Sequence, residues 1–356
     1  MKPKHLLNLF SDRLHTLPLL VLYLTDGCNS RCVTCDIWRN PRRNMAMALV
    51  DELVRACKEL DVRWVLLSGG EAMQHPEWPE IARRFREQGV YVMLLTNGLL
   101  LRKQAEQIPG HVDEVIVSLD GGTAATYEAI RGVDGFELIL EGIRLVRAAG
   151  VPVATRTTLQ RANYREMPEI IRAAKAVGVN RVSFLTVDVS NQYAFGPRFA
   201  ADPTLQIAGA AGVGALPEHG PAATMLLPED VEAFEAVVDA VAVEFAADFE
   251  SGLMSEPVDK LRQMADYFGA LNGGRAFPRP RCNAPHISTV VEVDGTVRPC
   301  YFLPAYGKLR NGTAMREAIN TPAAQALRQA YRSGQRMECE RCVCPLYKGP
   351  RALLRM

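Results

Sequence analysis

Three cysteines stand within eight residues, Cys28, Cys32 and Cys35, in the stretch Asp26-Gly-Cys-Asn-Ser-Arg-Cys-Val-Thr-Cys-Asp-Ile-Trp38. Thiolates at this spacing can hold three corners of an iron-sulfur cube and leave the fourth iron without a protein ligand. An open iron is where a substrate or cofactor can bind. Structural zinc is the alternative, but a zinc knuckle pairs its thiols as two separated Cys-x-x-Cys units or takes a fourth Cys or His nearby. Here His15 lies upstream and the next histidine, His75, is far along the chain.

A second group comprises Cys282, Cys300, Cys339, Cys342 and Cys344. Asp294-Gly295 between two apolar runs, 287–293 and 296–301, is a hairpin signal that brings Cys282 and Cys300 towards one end. Joined by Cys339-Glu-Arg-Cys342-Val-Cys344, they offer four or five thiolates to one metal centre, with a closed zinc site as the alternative. Cys57 stands apart in a helical pattern and reads as a buried, inert thiol. His75, His111 and His286 are scattered and read as ordinary polar or core residues. No Ser-His-Asp or zinc-hydrolase pattern competes.

The elements that must position these cysteines follow from periodicity. Apolar runs at 19–25, 62–67, 90–95, 114–119, 151–159 and 181–187 read as strands, and amphipathic stretches at 48–60, 78–88, 99–107 and 166–177 read as helices. Six such alternations at about thirty-residue spacing build a parallel sheet from right-handed βαβ units. Polar or glycine-rich turns end four consecutive strands: the cysteine loop, Ser68-Gly-Gly-Glu71, Thr96-Asn-Gly98 and Ser118-Leu-Asp-Gly121. That sheet edge is where parallel barrels and open α/β sheets assemble their sites. With no seventh and eighth unit, the expected fold is α/β, a partial (β/α)6 TIM-like barrel with a small cysteine-rich C-terminal extension containing a β-hairpin. The expected divisions are an N-terminal extension over 1–18, a core over 19–189, an irregular lid-like insertion with linking helices over 190–272, and the cysteine-rich unit over 273–356. Helices are expected at 229–249 and 258–268.

In this order on successive strands, these signals resemble the radical S-adenosylmethionine (radical SAM) superfamily. The resemblance spans about 19–187: Cys28-x-x-x-Cys32-x-x-Cys35, a Gly-Gly-Glu after the second strand and a Ser-x-Asp after the fourth. It implies a [4Fe-4S] cluster whose open iron is chelated by S-adenosylmethionine. One electron then cleaves the carbon–sulfur bond, and the resulting 5′-deoxyadenosyl radical abstracts hydrogen from substrate. Gly69 and Gly70 would let the ligand approach the backbone, Glu71 would pair with its ammonium, and Thr96, Asn97, Ser118 and Asp120 would meet its ribose. The family's usual aromatic residue before the third cysteine is Thr34 here, its role mostly a backbone contact to adenine, with Trp38 as a replacement packing surface. The spacing from Cys282 through Gly295 to Cys300 resembles the SPASM and twitch extensions, which carry auxiliary [4Fe-4S] clusters. A complete SPASM domain has seven cysteines. With five, one auxiliary cluster is expected on Cys282, Cys300, Cys339 and Cys342, with Cys344 as a substitute for either of the last two or a spare.

Composition narrows the partners. Forty-one basic and 40 acidic residues leave a net charge of +1, no footprint for nucleic acid or an anionic membrane. The arginine run 39–43 is short and reads as solvated surface. No signal peptide or membrane-length apolar run occurs, so a cytoplasmic protein is expected, its thiols serving metal rather than disulfides. The expected function is net oxidation of a small metabolite assisted by the auxiliary cluster, with an external one-electron donor such as flavodoxin or ferredoxin. Asp188, Tyr193 and Arg156 are the candidates for the base or for substrate binding. A ribosomal-peptide maturase is the second reading, disfavoured because no peptide-recognition domain precedes the first strand. A non-enzymatic iron-sulfur or zinc scaffold is the third, and it leaves the Gly-Gly-Glu and Ser-x-Asp signals unexplained.

Overall fold

A computed structural model describes residues 4–189, 221–310 and 314–355 of the chain. Residues 190–220 of the lid-like insertion, including Tyr193, lie outside the described residues.

Six parallel strands form the core: β1 (Leu19–Thr25), β2 (Trp64–Gly69), β3 (Tyr91–Thr96), β4 (Glu114–Ser118), β5 (Val153–Leu159) and β6 (Arg181–Thr186). Their side chains alternate. Leu20, Leu22, Val65, Leu67, Val92, Leu94, Val115 and Val117 are buried in the main hydrophobic cluster, which includes Leu53, Ile81, Phe85, Ile139, Ile143 and Ile170 of the flanking helices. The opposite face presents Tyr23, Ser68, Leu95, Ser118 and Arg156 to a cavity. Register aligns this second set, with Tyr23 beside Ser68, and Ser118 beside Arg156.

The cysteine-rich extension joins the same sheet. β7 (Ser288–Val291) runs parallel to β1, and β8 (Thr296–Arg298) and β9 (Gly307–Lys308) continue it antiparallel, giving the order β6-β5-β4-β3-β2-β1-β7-β8-β9. The barrel is therefore partial, and its β1 edge is covered by the hairpin expected around Gly295, whose φ of 83° suits a residue without a Cβ. At the other edge, Val182 bonds the chain at Leu253 and Ser255, closing β6.

Three expected elements differ. The helix at 99–107 is a short α-helix, Leu101–Gln104, followed by a 3-10 turn, Ala105–Gln107. The helix at 229–249 is interrupted at Phe245 (φ −107°, ψ 24°), whose ring lies under Arg172 and Lys175. The strand at 287–293 starts one residue later because Ala284–Ile287 forms a helical turn.

The N-terminal segment is tied to the extension. Asn320 bonds both the amide and the carbonyl of Leu14 (2.7 and 3.0 Å), and the fully buried Arg328 donates to the carbonyls of Asp12, Pro285 and Ile319 (2.9, 2.8 and 2.7 Å).

Candidate functional site

The cysteine loop leaves β1 at Thr25 and is closed at its base by the returning chain. Asp26 N donates to the Arg43 carbonyl (3.0 Å), Met45 N to that of Leu24 (2.8 Å), and the Arg43 guanidinium pairs with the buried Asp26. Its middle is stitched to the end of the helix Ala124–Arg131. The amides of Val33 and Arg31 donate to the carbonyls of Ile130 and Arg131 (both 2.9 Å), and Ser30 Oγ also reaches the Arg131 carbonyl (2.9 Å). Carbonyls in a helix's last turn lack partners within the helix, so the loop completes that helix while the helix shapes the loop. Gly132 ends it at φ +66°, and a Cβ there would stand 2.6 Å from the Arg31 carbonyl oxygen.

The Gly-Gly-Glu turn supports the loop from β2. Gly70 N donates to the Thr25 carbonyl (2.7 Å) and Glu71 N to the Gly27 carbonyl (2.9 Å). Side-chain room at Gly70 is taken by the Gly27 carbonyl, so this glycine admits the chain's own backbone, although both glycines also line the cavity. Glu71 stands at the end of this turn. It lies behind the cavity wall, buried, and its carboxylate accepts from Met73 N (3.1 Å), Thr96 Oγ1 (2.8 Å) and Asn97 N (2.7 Å). Burial pushes its pKa up despite those bonds. In this structure Glu71 bridges the ends of β2 and β3 and does not itself face the cavity.

One cavity of about 350 Å³ gathers the rest: Cys28, Cys32, Thr34, Cys35, Gly69, Gly70, Thr96, Asn97, Ser118, Asp120, Arg156 and Asp188 all line it. Trp38 does not; Ile37 takes that place and Trp38 stacks under Arg39. Asn97 Nδ2 donates to Cys28 Sγ (3.7 Å) and Asn29 Oδ1 (2.8 Å), and Ser30 Oγ lies 3.2 Å from Cys32 Sγ. Asp188 is met by the Tyr267 hydroxyl at 3.3 Å.

Three lining residues carried no recognisable local signal. Arg131 pairs with buried Asp120 (2.7 Å) and donates to Cys32 Sγ (3.5 Å). Tyr301 and Phe302 arrive from the extension, immediately after Cys300. They bring the second cysteine group to the cavity's edge.

In the second group, Asn283 ties the C-terminal strip to Cys282. Its amide donates to the Leu346 carbonyl (2.8 Å), and its side chain bonds Lys348 twice (2.8 and 3.0 Å), drawing the C-terminal strip beside Cys282. Burial raises the Cys342 thiol well above its ordinary value, and neighbouring Cys344, Cys300 and Cys282 push it further; Cys339 is raised to about 12, with Cys282 contributing. All five thiols thus share one neighbourhood. Cys28 is likewise pushed to about 12 by burial, with Glu71, Cys32 and Cys35 adding to the rise. Such thiols stay protonated in water and ionise when a metal supplies the compensating charge. Among the described residues no three His, Cys, Asp or Glu groups converge on one ion-sized point.

Residues 22–174 match the family model of the radical SAM superfamily, and residues 282–343 match the SPASM iron-sulfur cluster-binding domain. The chain belongs to the radical SAM superfamily and carries a SPASM extension. The two domains imply a [4Fe-4S] cluster with S-adenosylmethionine and an auxiliary iron-sulfur cluster, and the donor sets fit them: three loop cysteines on the cavity, and five neighbouring thiols in the extension.

Among curated relatives, this radical SAM chain is 34% identical over 170 residues to an AdoMet-dependent heme synthase of Methanosarcina barkeri, covering 45% of this chain and 48% of that one. It is 31% identical over 171 residues to a probable GTP 3′,8-cyclase of Saccharolobus islandicus, covering 47% and 56%. The matches span about half the length of these relatives. Two solved structures share the fold. Streptococcus suis SuiB bound to S-adenosylmethionine superposes with a TM-score of 0.63 at 14% identity, covering 98% of this chain and 78% of that one. A second, anSMEcpe with bound AdoMet and a peptide, gives 0.60 at 17% identity, covering 87% and 82%. No described helix of the radical SAM–SPASM chain is long and apolar enough to cross a membrane.

Proposed function

We propose that the chain is a radical SAM oxidoreductase that removes hydrogen from a small metabolite inside the cavity. The observation that carries this is the convergence of Cys28, Cys32 and Cys35, the strand-end groups of β2 to β6, and Tyr301–Phe302 of the SPASM extension on one cavity. When bound, the cluster and S-adenosylmethionine supply a hydrogen-abstracting 5′-deoxyadenosyl radical, and the auxiliary centre supplies a one-electron acceptor.

The protein's own part is placement and exclusion of water. Cys28, Cys32 and Cys35 hold the first cluster. Thr34, Gly69, Gly70, Thr96, Asn97, Ser118 and Asp120 form the wall for the nucleoside and amino-acid ends of the cofactor, with Arg131 fixed against Asp120. Cys282, Cys300, Cys339 and Cys342 hold the second centre, with Cys344 as reserve. Tyr301 and Phe302 close the cavity towards that centre. Loss of one hydrogen atom and one electron leaves a proton to be taken up, and the Asp188 carboxylate, oriented by Tyr267, lies on the cavity wall for that purpose. An external flavodoxin or ferredoxin is the proposed source of reducing electrons.

The curated relatives are named for heme and GTP, both small molecules, which supports a metabolite over a peptide. Reduced, anaerobically reconstituted protein with S-adenosylmethionine is to be incubated separately with the small-molecule and the peptide fractions of a host lysate. The small-molecule fraction should raise 5′-deoxyadenosine formation above the substrate-free rate. Stimulation by the peptide fraction alone would replace this reading with that of a peptide maturase.

A further inference from the structure

The cavity contains two arginines that the fold treats differently. Arg131 is spent: its guanidinium pairs with Asp120 at 2.7 Å and reaches Cys32 Sγ. Arg156 is not. It stands on β5 between Ser118 of β4 and Ser183 of β6, on the face that lines the cavity. Its Nε is buried without a hydrogen-bond partner, and no ion pair joins it to any described residue. Glu256, the carboxylate that senses its charge, is engaged elsewhere, accepting from Ser183 Oγ (2.9 Å) and Phe184 N (2.8 Å).

The two arginines buried among the described residues, Arg298 and Arg328, are satisfied. Arg298 donates to Glu292 at 2.5 Å, and Arg328 to three carbonyls. Arg156 is half-buried, so its Nε is withdrawn from water without a partner, which is unfavourable, and the fork of donors a guanidinium presents matches a carboxylate or phosphate. Thr158, two residues further along β5 and also on the cavity wall, places a hydroxyl donor beside it.

We propose that Arg156 is the seat for a carboxylate or phosphate group of the molecule oxidised in this cavity, so that the substrate class is an anionic small metabolite. This deepens the proposed function and rests on it. An anion held at β5 lies on the same wall as Asp188 of the β6 end, which fixes the rest of the substrate between that carboxylate and the cysteine loop.

The cofactor carries a carboxylate too, so the experiment separates the two sources. Reconstituted protein is titrated calorimetrically with S-adenosylmethionine, and then, with the cofactor present, with succinate and with inorganic phosphate. Wild type, Arg156→Gln and Arg156→Lys are compared. Saturable binding of succinate or phosphate to the wild type is expected, weakened at least ten-fold in Arg156→Gln and partly restored in Arg156→Lys, with a smaller change in cofactor affinity. The proposal is overturned if the wild type binds neither anion, if Arg156→Gln binds them equally well, or if cofactor affinity falls as far as anion affinity. Because anion binding is read without turnover, a failure of hydrogen abstraction would count against the proposed function and leave this result standing.

Discussion

The carbonyl of Gly27, in the cysteine loop, occupies the space that a side chain on Gly70 would need. The loop and the Gly-Gly-Glu turn are therefore one unit, joined by Gly70 N to Thr25 O and Glu71 N to Gly27 O. Gly70→Ala forces that unit apart, at about 1–3 kcal/mol for overpacking. Iron analysis should show loss at the first cluster with the auxiliary iron retained. Full iron content with unchanged urea stability would show that the loop does not depend on this approach.

Asp120 and Arg131 form the buried ion pair of the cavity, with side chains 2% and 11% exposed. Removing the carboxylate leaves the guanidinium buried and unpaired, which typically costs about 3–5 kcal/mol. Asp120→Asn should lose on the order of 3 kcal/mol in chemical denaturation and bind S-adenosylmethionine more weakly. A loss below about 1 kcal/mol would show that Arg131 finds other partners.

His286 gives a pH dependence. It is buried, Arg332 lies 3.2 Å from Nε2, and burial followed by the charges of Arg332 and Arg328 lowers its pKa to about 4. The folded state keeps this ring neutral while the unfolded chain protonates near 6.5. Its contribution is complete above about pH 6.5 and is lost as pH falls towards 4, amounting to about 1–3 kcal/mol. A proton NMR titration of the folded protein should show His286 neutral at pH 5, and His286→Gln should flatten the acid limb of the stability curve. Protonation near pH 6.5 in the folded protein would contradict this.

Much of this site could be read locally because its signals are local. Cys28, Cys32 and Cys35 declare themselves by spacing, and the strand-end turns at Ser68, Thr96 and Ser118 by composition. What was not legible depends on pairing between distant segments. Nothing around Ser288 announces that β7 runs parallel to β1, so the arrival of Tyr301 and Phe302 at the cavity was hidden. Arg131 sits at a helix end with no motif, and only the fold sets it against Asp120. Glu71 was recognised by its motif, yet its direction depends on Thr96 and Asn97, which close over it from the next strand.

The account stands most directly on Cys28, Cys32 and Cys35 as ligands of the cluster that cleaves S-adenosylmethionine. Anaerobically reconstituted wild type should hold about eight irons and release 5′-deoxyadenosine on reduction, whereas the triple alanine variant should hold about four and release none. Continued release of 5′-deoxyadenosine by the triple variant would contradict it.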